Sequence, residues 1–117
     1  YAKQNKLVHT KLKNKAGTFV EPNFDSFEDA AETATFDPKQ HFYLWLNNAP
    51  GKNAWPVAGA TFILLAKEKA EANKKVVKFY EWSFQNGDAK AKELVYVPLP
   101  KTLKDKIRGY WKANGIQ

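Results

Sequence analysis

The chain has 117 residues, enough for one small domain with a real hydrophobic core. Aromatic residues make up 15%, which argues against disorder, and cysteine is absent, which excludes disulfides, thiol catalysis and thiolate metal sites. The formal net charge is +7, and no apolar run approaches the roughly 18–20 residues that cross a bilayer.

Tyr1 opens the chain without Met, a basic stretch or an apolar leader run, as a processed chain or a piece of a longer one does. Residues 7–13 alternate, with Val8, Thr10 and Leu12 on one side and His9, Lys11 and Lys13 on the other, which predicts a strand. Asn14-Lys-Ala-Gly17 is a turn signal. Asp25 or Ser26 is the expected cap of a helix over about 26–34, whose buried stripe is Phe27, Ala30, Ala31 and Ala34. Residues 42–46 predict a second, aromatic-rich strand, and residues 47–53 a loop marked by Asn-Asn and Pro-Gly.

Residues 57–66 predict a third strand. Its apolar character on both faces is that of a strand covered on both sides, as in parallel or mixed α/β sheets. A helix is expected over 71–86, with Val77, Tyr80 and Phe84 on its apolar face and Lys74, Lys78, Glu81 and Gln85 opposite. Gly87 fits the left-handed residue that stops it. Asp88 is placed to cap a shorter helix to residue 94, and Pro98 and Pro100 hold the next stretch extended. Pro100 then starts a last helix to about residue 113, lined by Leu103, Ile107, Tyr110 and Trp111 and ended by Gly115.

No constellation for catalysis emerges. The two histidines, His9 and His41, have no Asp and Ser partners in a triad pattern, and neither a Gly-x-Ser-x-Gly nor a phosphate-cradling P-loop occurs. Glu28, Asp29 and Glu32 lie along one helix but lack the further oxygen ligands of a cation loop, so no metal site is expected. Residues 61–117 carry twelve basic and six acidic side chains against seven and six in residues 1–60. The lysines form no block, and the one arginine, Arg108, is a weak basis for specific phosphate or base contacts. Trp45, Trp55, Tyr80, Phe84 and Trp111 read as core, whereas Trp82 falls between the apolar and polar stripes of its helix.

Several segments share an order that resembles one known family. Ala-Trp-Pro-Val-Ala-Gly-Ala-Thr-Phe-Ile-Leu-Leu at 54–65 is followed by Val-Val-Lys-Phe-Tyr-Glu-Trp-Ser-Phe-Gln-Asn-Gly-Asp at 76–88 and Glu-Leu-Val-Tyr-Val-Pro-Leu-Pro at 93–100. Together with Tyr-Ala-Lys-Gln-Asn-Lys-Leu at 1–7 and Gly-Thr-Phe-Val-Glu-Pro at 17–22, this resembles the C-terminal part of the periplasmic phosphate-binding protein (PstS family) of the high-affinity phosphate ABC transporter.

The resemblance implies an α/β chain that is a fragment of a two-lobed periplasmic-binding-protein (type II) fold. Residues 1–61 then form the tail of the second lobe, and residues 62–117 return to the first across a hinge at Thr61, Phe62 and Ile63. It implies a solute-binding, non-enzymatic role without cofactor, a periplasmic location (a cell-surface lipoprotein in a Gram-positive source) and, for the full-length protein, inorganic phosphate and the ABC permease as partners. The family's ligand motifs, a Thr-Phe near the mature N-terminus and an Arg-x-x-x-Ser-Gly-Thr, have no equivalent here. Thr18-Phe19 is only superficially like the first, so no phosphate-binding residue is assigned. For the fragment itself the expected partners are the missing N-terminal part or a second copy, with no nucleic acid and no membrane insertion. A free-standing basic module for nucleic acid or an anionic surface is the competing reading.

Overall fold

The computed structural model describes residues 1–116 and divides the chain into two compact units, Tyr1–Ala60 and Thr61–Gln117. Its elements in chain order are β1 (Leu12–Lys13), β2 (Phe19–Val20), α1 (Phe24–Thr33), a 3-10 turn (Pro38–Gln40), α2 (Ala70–Asn86), α3 (Asp88–Glu93) and α4 (Lys101–Ala113). The fold is thus mixed α/β, with four helices and one small sheet among the described residues.

In the first unit β1 and β2 pair antiparallel, Leu12 opposite Val20 and Lys13 opposite Phe19. The expected turn joins them: the Gly17 amide donates to the Asn14 carbonyl at 2.9 Å, and Gly17 takes φ +85°. This is a conformation glycine adopts without a Cβ clash. The strand predicted over 7–13 survives only at its end. Lys6 turns left-handed at φ 52°, and Val8 is fully exposed, so nothing buries the alternating pattern.

Helix α1 begins two residues earlier than its sequence signal, because Asn23 rather than Asp25 or Ser26 is the cap. Asn23 Oδ1 accepts from the Ser26 amide at 2.9 Å and Ser26 Oγ accepts from the Asn23 amide at 3.1 Å, a reciprocal capping box. Ala30 is fully buried on the expected stripe, and the Phe27 ring lies 6.1 Å from that of Trp55.

The strand predicted over 42–46 does not form. His41 and Phe42 both take left-handed φ, 53° and 60°, which breaks an extended run before it starts. Trp45 accordingly lies 78% exposed instead of in the core.

The loop after it is closed by side chains. Asn14 Nδ2 reaches the carbonyls of Lys52 (2.9 Å), Ala54 (3.1 Å) and Gly51 (3.4 Å), while Asn14 Oδ1 accepts from the Thr18 amide at 3.0 Å. Asp29 Oδ2 accepts from the Asn53 amide at 2.8 Å and Thr33 Oγ1 from the Gly51 amide at 3.2 Å. A Cβ on Gly51 would press into the Asp29 carboxylate and stand 2.7 Å from Thr33 Oγ1, so the loop sits on α1 only with glycine there.

The strand predicted over 57–66 also does not form: the one ladder among the described residues is β1–β2. In place of a buried strand, Val57 (63%), Ile63 (47%) and Leu64 (91%) are exposed.

In the second unit α2 has no side-chain cap at Lys69. Its entry is held by buried Asn73, whose Nδ2 donates to the Ala66 carbonyl at 2.7 Å. Gly87 is not the left-handed stop the sequence suggests. It has right-handed φ −88°, and its amide donates to the Ser83 carbonyl at 2.7 Å, so α2 passes almost directly into α3. Glycine serves there because a Cβ would lie 2.6 Å from the Ser83 carbonyl oxygen. The left-handed break comes at Val95, φ 65°, after α3. Pro100 is the cap of α4 instead of its first residue, and Gly115, φ +64°, ends it as expected. Val77, Leu103 and Trp111 are buried, and the Phe84 and Trp111 rings stack at 5.7 Å and 5°.

The Asn14 amide joins two distant loops by replacing several water contacts at once. Asn14→Ala leaves buried carbonyls without a donor and should lower the stability of the first unit by about 2–4 kcal/mol, read by urea unfolding. A loss under about 0.5 kcal/mol would mean that the loop is held otherwise.

Candidate functional site

The most organised chemistry lies where α2, α3 and α4 meet. Lys104 occupies the apolar stripe of α4, three residues before Ile107 and seven before Trp111, and its side chain is 7% exposed. A buried ammonium needs compensation. Nζ donates to both oxygens of Asp88, at 2.7 and 2.6 Å, and to the Phe84 carbonyl at 3.1 Å. It also stands 5.8 Å from the Phe84 ring centre. Asp88, expected to cap α3, instead sits in its first turn and turns its carboxylate to α4.

One turn further along α4, Arg108 grips Glu81 with two parallel bonds, Nε to Oε2 at 2.9 Å and Nη2 to Oε1 at 3.0 Å. Its Nη1 donates to Asp105 at 2.8 Å. These bonds hold the Glu81 carboxyl below its ordinary 4.5, the Arg108 bond being the main cause, and Gln85 adds a second donor. Asp105 is held below its ordinary 3.8, first by Arg108 and then by Lys101, and the Arg108 guanidinium is raised in turn by Glu81.

The chemical consequence is that the single guanidinium and the most buried ammonium are both neutralised by carboxylates of the same unit. Their donors are turned to Asp88 and the Phe84 carbonyl for Lys104, and to Glu81 and Asp105 for Arg108. Neither pair was anticipated from sequence, although a lysine inside an otherwise apolar helical stripe is a signal that a carboxylate must meet it.

Other residues considered from sequence are not gathered into a site. His9 and His41 are exposed. Glu28, Asp29 and Glu32 make no metal cluster, and no group of three or more His, Asp or Glu side chains suited to a metal ion occurs among the described residues. Asp29 is used as a loop tether. Thr61, Phe62 and Ile63 lie exposed at the start of the second unit, outside any helix or ladder. Trp82 is 60% exposed, as its place between stripes suggests, and Phe79 beside it is 59% exposed.

No protein-family model matches the chain. Individual relatives do. The phosphate-binding protein PstS of Pasteurella multocida is 46% identical over 116 residues, 97% of this chain and 34% of that protein. That of Xylella fastidiosa (strain 9a5c) is 43% identical over 116 residues and is covered to 32%. That of Haemophilus influenzae is 41% identical over 116 residues and is covered to 35%. The chain belongs to the PstS family of phosphate-binding proteins. It spans about a third of the length of the curated relatives it matches. The resemblance of residues 54–100 to PstS thus extends through both units.

The Arg108–Glu81 pair gives the second unit an acid sensitivity of definite sign. A carboxyl held below its ordinary value stabilises the fold above about pH 4.5, and that contribution is lost as pH falls through its lowered value. Glu81→Gln should cost about 0.5–1 kcal/mol at pH 7, as expected for a bidentate pair whose side chains are 32% and 33% exposed. Its melting temperature should converge on the parent's as the pH falls well below about 4.5. Melts that differ equally at pH 7 and pH 3 would show that the pair's charge is not what stabilises the unit.

Proposed function

We propose that this chain is part of the phosphate-binding component of an ABC-type phosphate transport system and that the ligand site lies in other parts of the longer protein. The observation that carries the reading is the 41–46% identity to PstS proteins along 97% of the chain. Within it, residues 1–61 belong to one lobe and residues 62–117 to the other, with Thr61, Phe62 and Ile63 as the hinge. A hinge needs a few residues at the end of an element that absorb backbone rotation. The exposed, ladder-free run at 61–63 is compatible with that role.

Phosphate capture requires donors aimed at a dehydrated anion: helix N-termini, hydroxyls and an arginine fork. Arg108 and Lys104 are committed to carboxylates, and this supports placing the ligand contacts outside the chain. The protein is a binding protein and not an enzyme in this reading, working in the periplasm with the permease as its partner. No helix among the described residues is long and apolar enough to cross a membrane. The competing basic-module reading gains nothing from a surface whose arginine and buried lysine are already paired.

Isothermal calorimetry with inorganic phosphate tests the proposal. The longer protein should bind one phosphate tightly. The 117-residue chain alone should show no saturable binding tighter than about 10 μM, roughly 7 kcal/mol. Tight one-to-one binding by the chain alone would put the site within it, and a longer protein indifferent to phosphate would remove the transport reading altogether.

A further inference from the structure

Two asparagines of the chain precede a glycine: Asn86-Gly87 where α2 meets α3, and Asn114-Gly115 at the end of α4. An asparagine in that position is open to attack on its side-chain amide, because glycine has no Cβ to keep its own backbone nitrogen away from Cγ. The two sites are closely matched. Both asparagines are exposed. Each Nδ2 donates to the carbonyl four residues earlier, Trp82 for Asn86 and Tyr110 for Asn114, at 2.9 Å in both cases. The glycines differ. The Gly87 amide donates to the Ser83 carbonyl at 2.7 Å, the Gly87 carbonyl accepts from the Ala91 amide at 2.9 Å, and a Cβ there would lie 2.6 Å from the Ser83 oxygen. The next residue, Asp88, holds buried Lys104. By contrast, the Gly115 amide reaches the Lys112 carbonyl only at 3.3 Å, and Gly115 is left-handed at φ +64°. Beyond its chain neighbours, no atom of the described residues lies within 4 Å of where its Cβ would be.

We propose that Asn114 is a site of spontaneous modification, deamidating through a cyclic imide to aspartate and isoaspartate, and that the fold shields Asn86 from the same reaction. The Gly115 backbone nitrogen gives its proton to water or hydroxide and attacks Asn114 Cγ. The new N–Cγ bond closes a five-membered succinimide, the Cγ–Nδ2 bond breaks, and Nδ2 leaves as ammonia. Water then adds to either ring carbonyl and opens the ring to one carboxylate and one main-chain amide. No electron is transferred, and water is the only co-reactant. Attack requires rotation about the asparagine ψ, which is 9° at Asn114. There the rotation releases the long Gly115 bond and the 3.0 Å bond from the Ile116 amide to the Trp111 carbonyl, both at a helix end, where opening is easiest. At Asn86 it breaks the continuous α2–α3 backbone and draws Asp88 off Lys104. The product at residue 114 loses the Nδ2 bond to Tyr110 and sets a negative charge at the negative end of the α4 dipole, which loosens the last turn.

Timed incubation of the unmodified 117-residue chain in mildly alkaline buffer tests the proposal. Trypsin then releases residues 79–90 and 113–117 as separate peptides, one for each site. Mass spectrometry follows the change from amide to acid, and chromatography separates aspartate from isoaspartate. In the folded chain Asn114 should convert at least about 10-fold faster than Asn86 and give both products. In concentrated guanidinium chloride the Asn86 rate should rise to within about threefold of the Asn114 rate, because the shielding is lost with the fold. A smaller ratio in the folded chain, or an Asn114 that stays an amide, overturns the proposal. A ratio that persists in guanidinium chloride assigns the difference to the flanking sequence and overturns the shielding. Aspartate without isoaspartate would mean direct hydrolysis of the side chain and overturns the cyclic route. None of these readouts involves phosphate, so each stands or falls apart from the proposed function.

Discussion

Buried backbone groups must find hydrogen-bond partners, and sheets ordinarily supply many of them. Here two strands of two residues provide almost nothing, so side chains take over. Asn14 serves three carbonyls and an amide, Asp29 and Thr33 each hold a loop N–H, and Asn73 secures the entry to α2. Lys104 takes the Phe84 carbonyl near the end of α2. No buried side-chain nitrogen or oxygen among the described residues lacks a partner. The irregular parts of the first unit are fixed because polar side chains, not strands, close them.

The second unit solves a different problem with similar means. Its helices bury few large side chains, and none of the described ones is completely enclosed. Phe84 concentrates what core there is: Trp111 stacks on it while Lys104 and Arg108 lie over its ring. The carboxylates of Asp88 and Glu81 then neutralise those cations from neighbouring helical segments. Aromatic packing and ion pairing reinforce each other at one spot, and the same pairing withdraws these cations from ligand chemistry.

The helices were legible because their information is local. Val77, Tyr80 and Phe84 recur at helical spacing, and α2, α3 and α4 lie within a residue of where that spacing puts them. Strands are non-local. The pattern at 57–66 records what the segment needs on either side but not whether this chain contains it, and at 42–46 the left-handed His41 and Phe42 override an aromatic run. Gly87 shows a subtler ambiguity, since a glycine after a helix fits both a left-handed turn and a close backbone approach, and the structure uses the second. The tethers of Asn14 and Asp29 span 24 to 40 residues, and no spacing rule reaches that far. The family assignment was legible because it depends on the order of whole segments, whereas the lobe boundary and hinge at 61–63 are inferences from that assignment.

The four tryptophans fall two to each unit, Trp45 and Trp55 in the first and Trp82 and Trp111 in the second. In each pair one indole is in water and the other is buried: Trp45 is 78% and Trp82 60% exposed, whereas Trp55 and Trp111 are each 8%. Each unit therefore carries its own solvated reference and its own interior reporter for fluorescence. Replacing both tryptophans of one unit by phenylalanine leaves a chain whose emission follows the other unit alone, so the two can be watched melting independently without any added label.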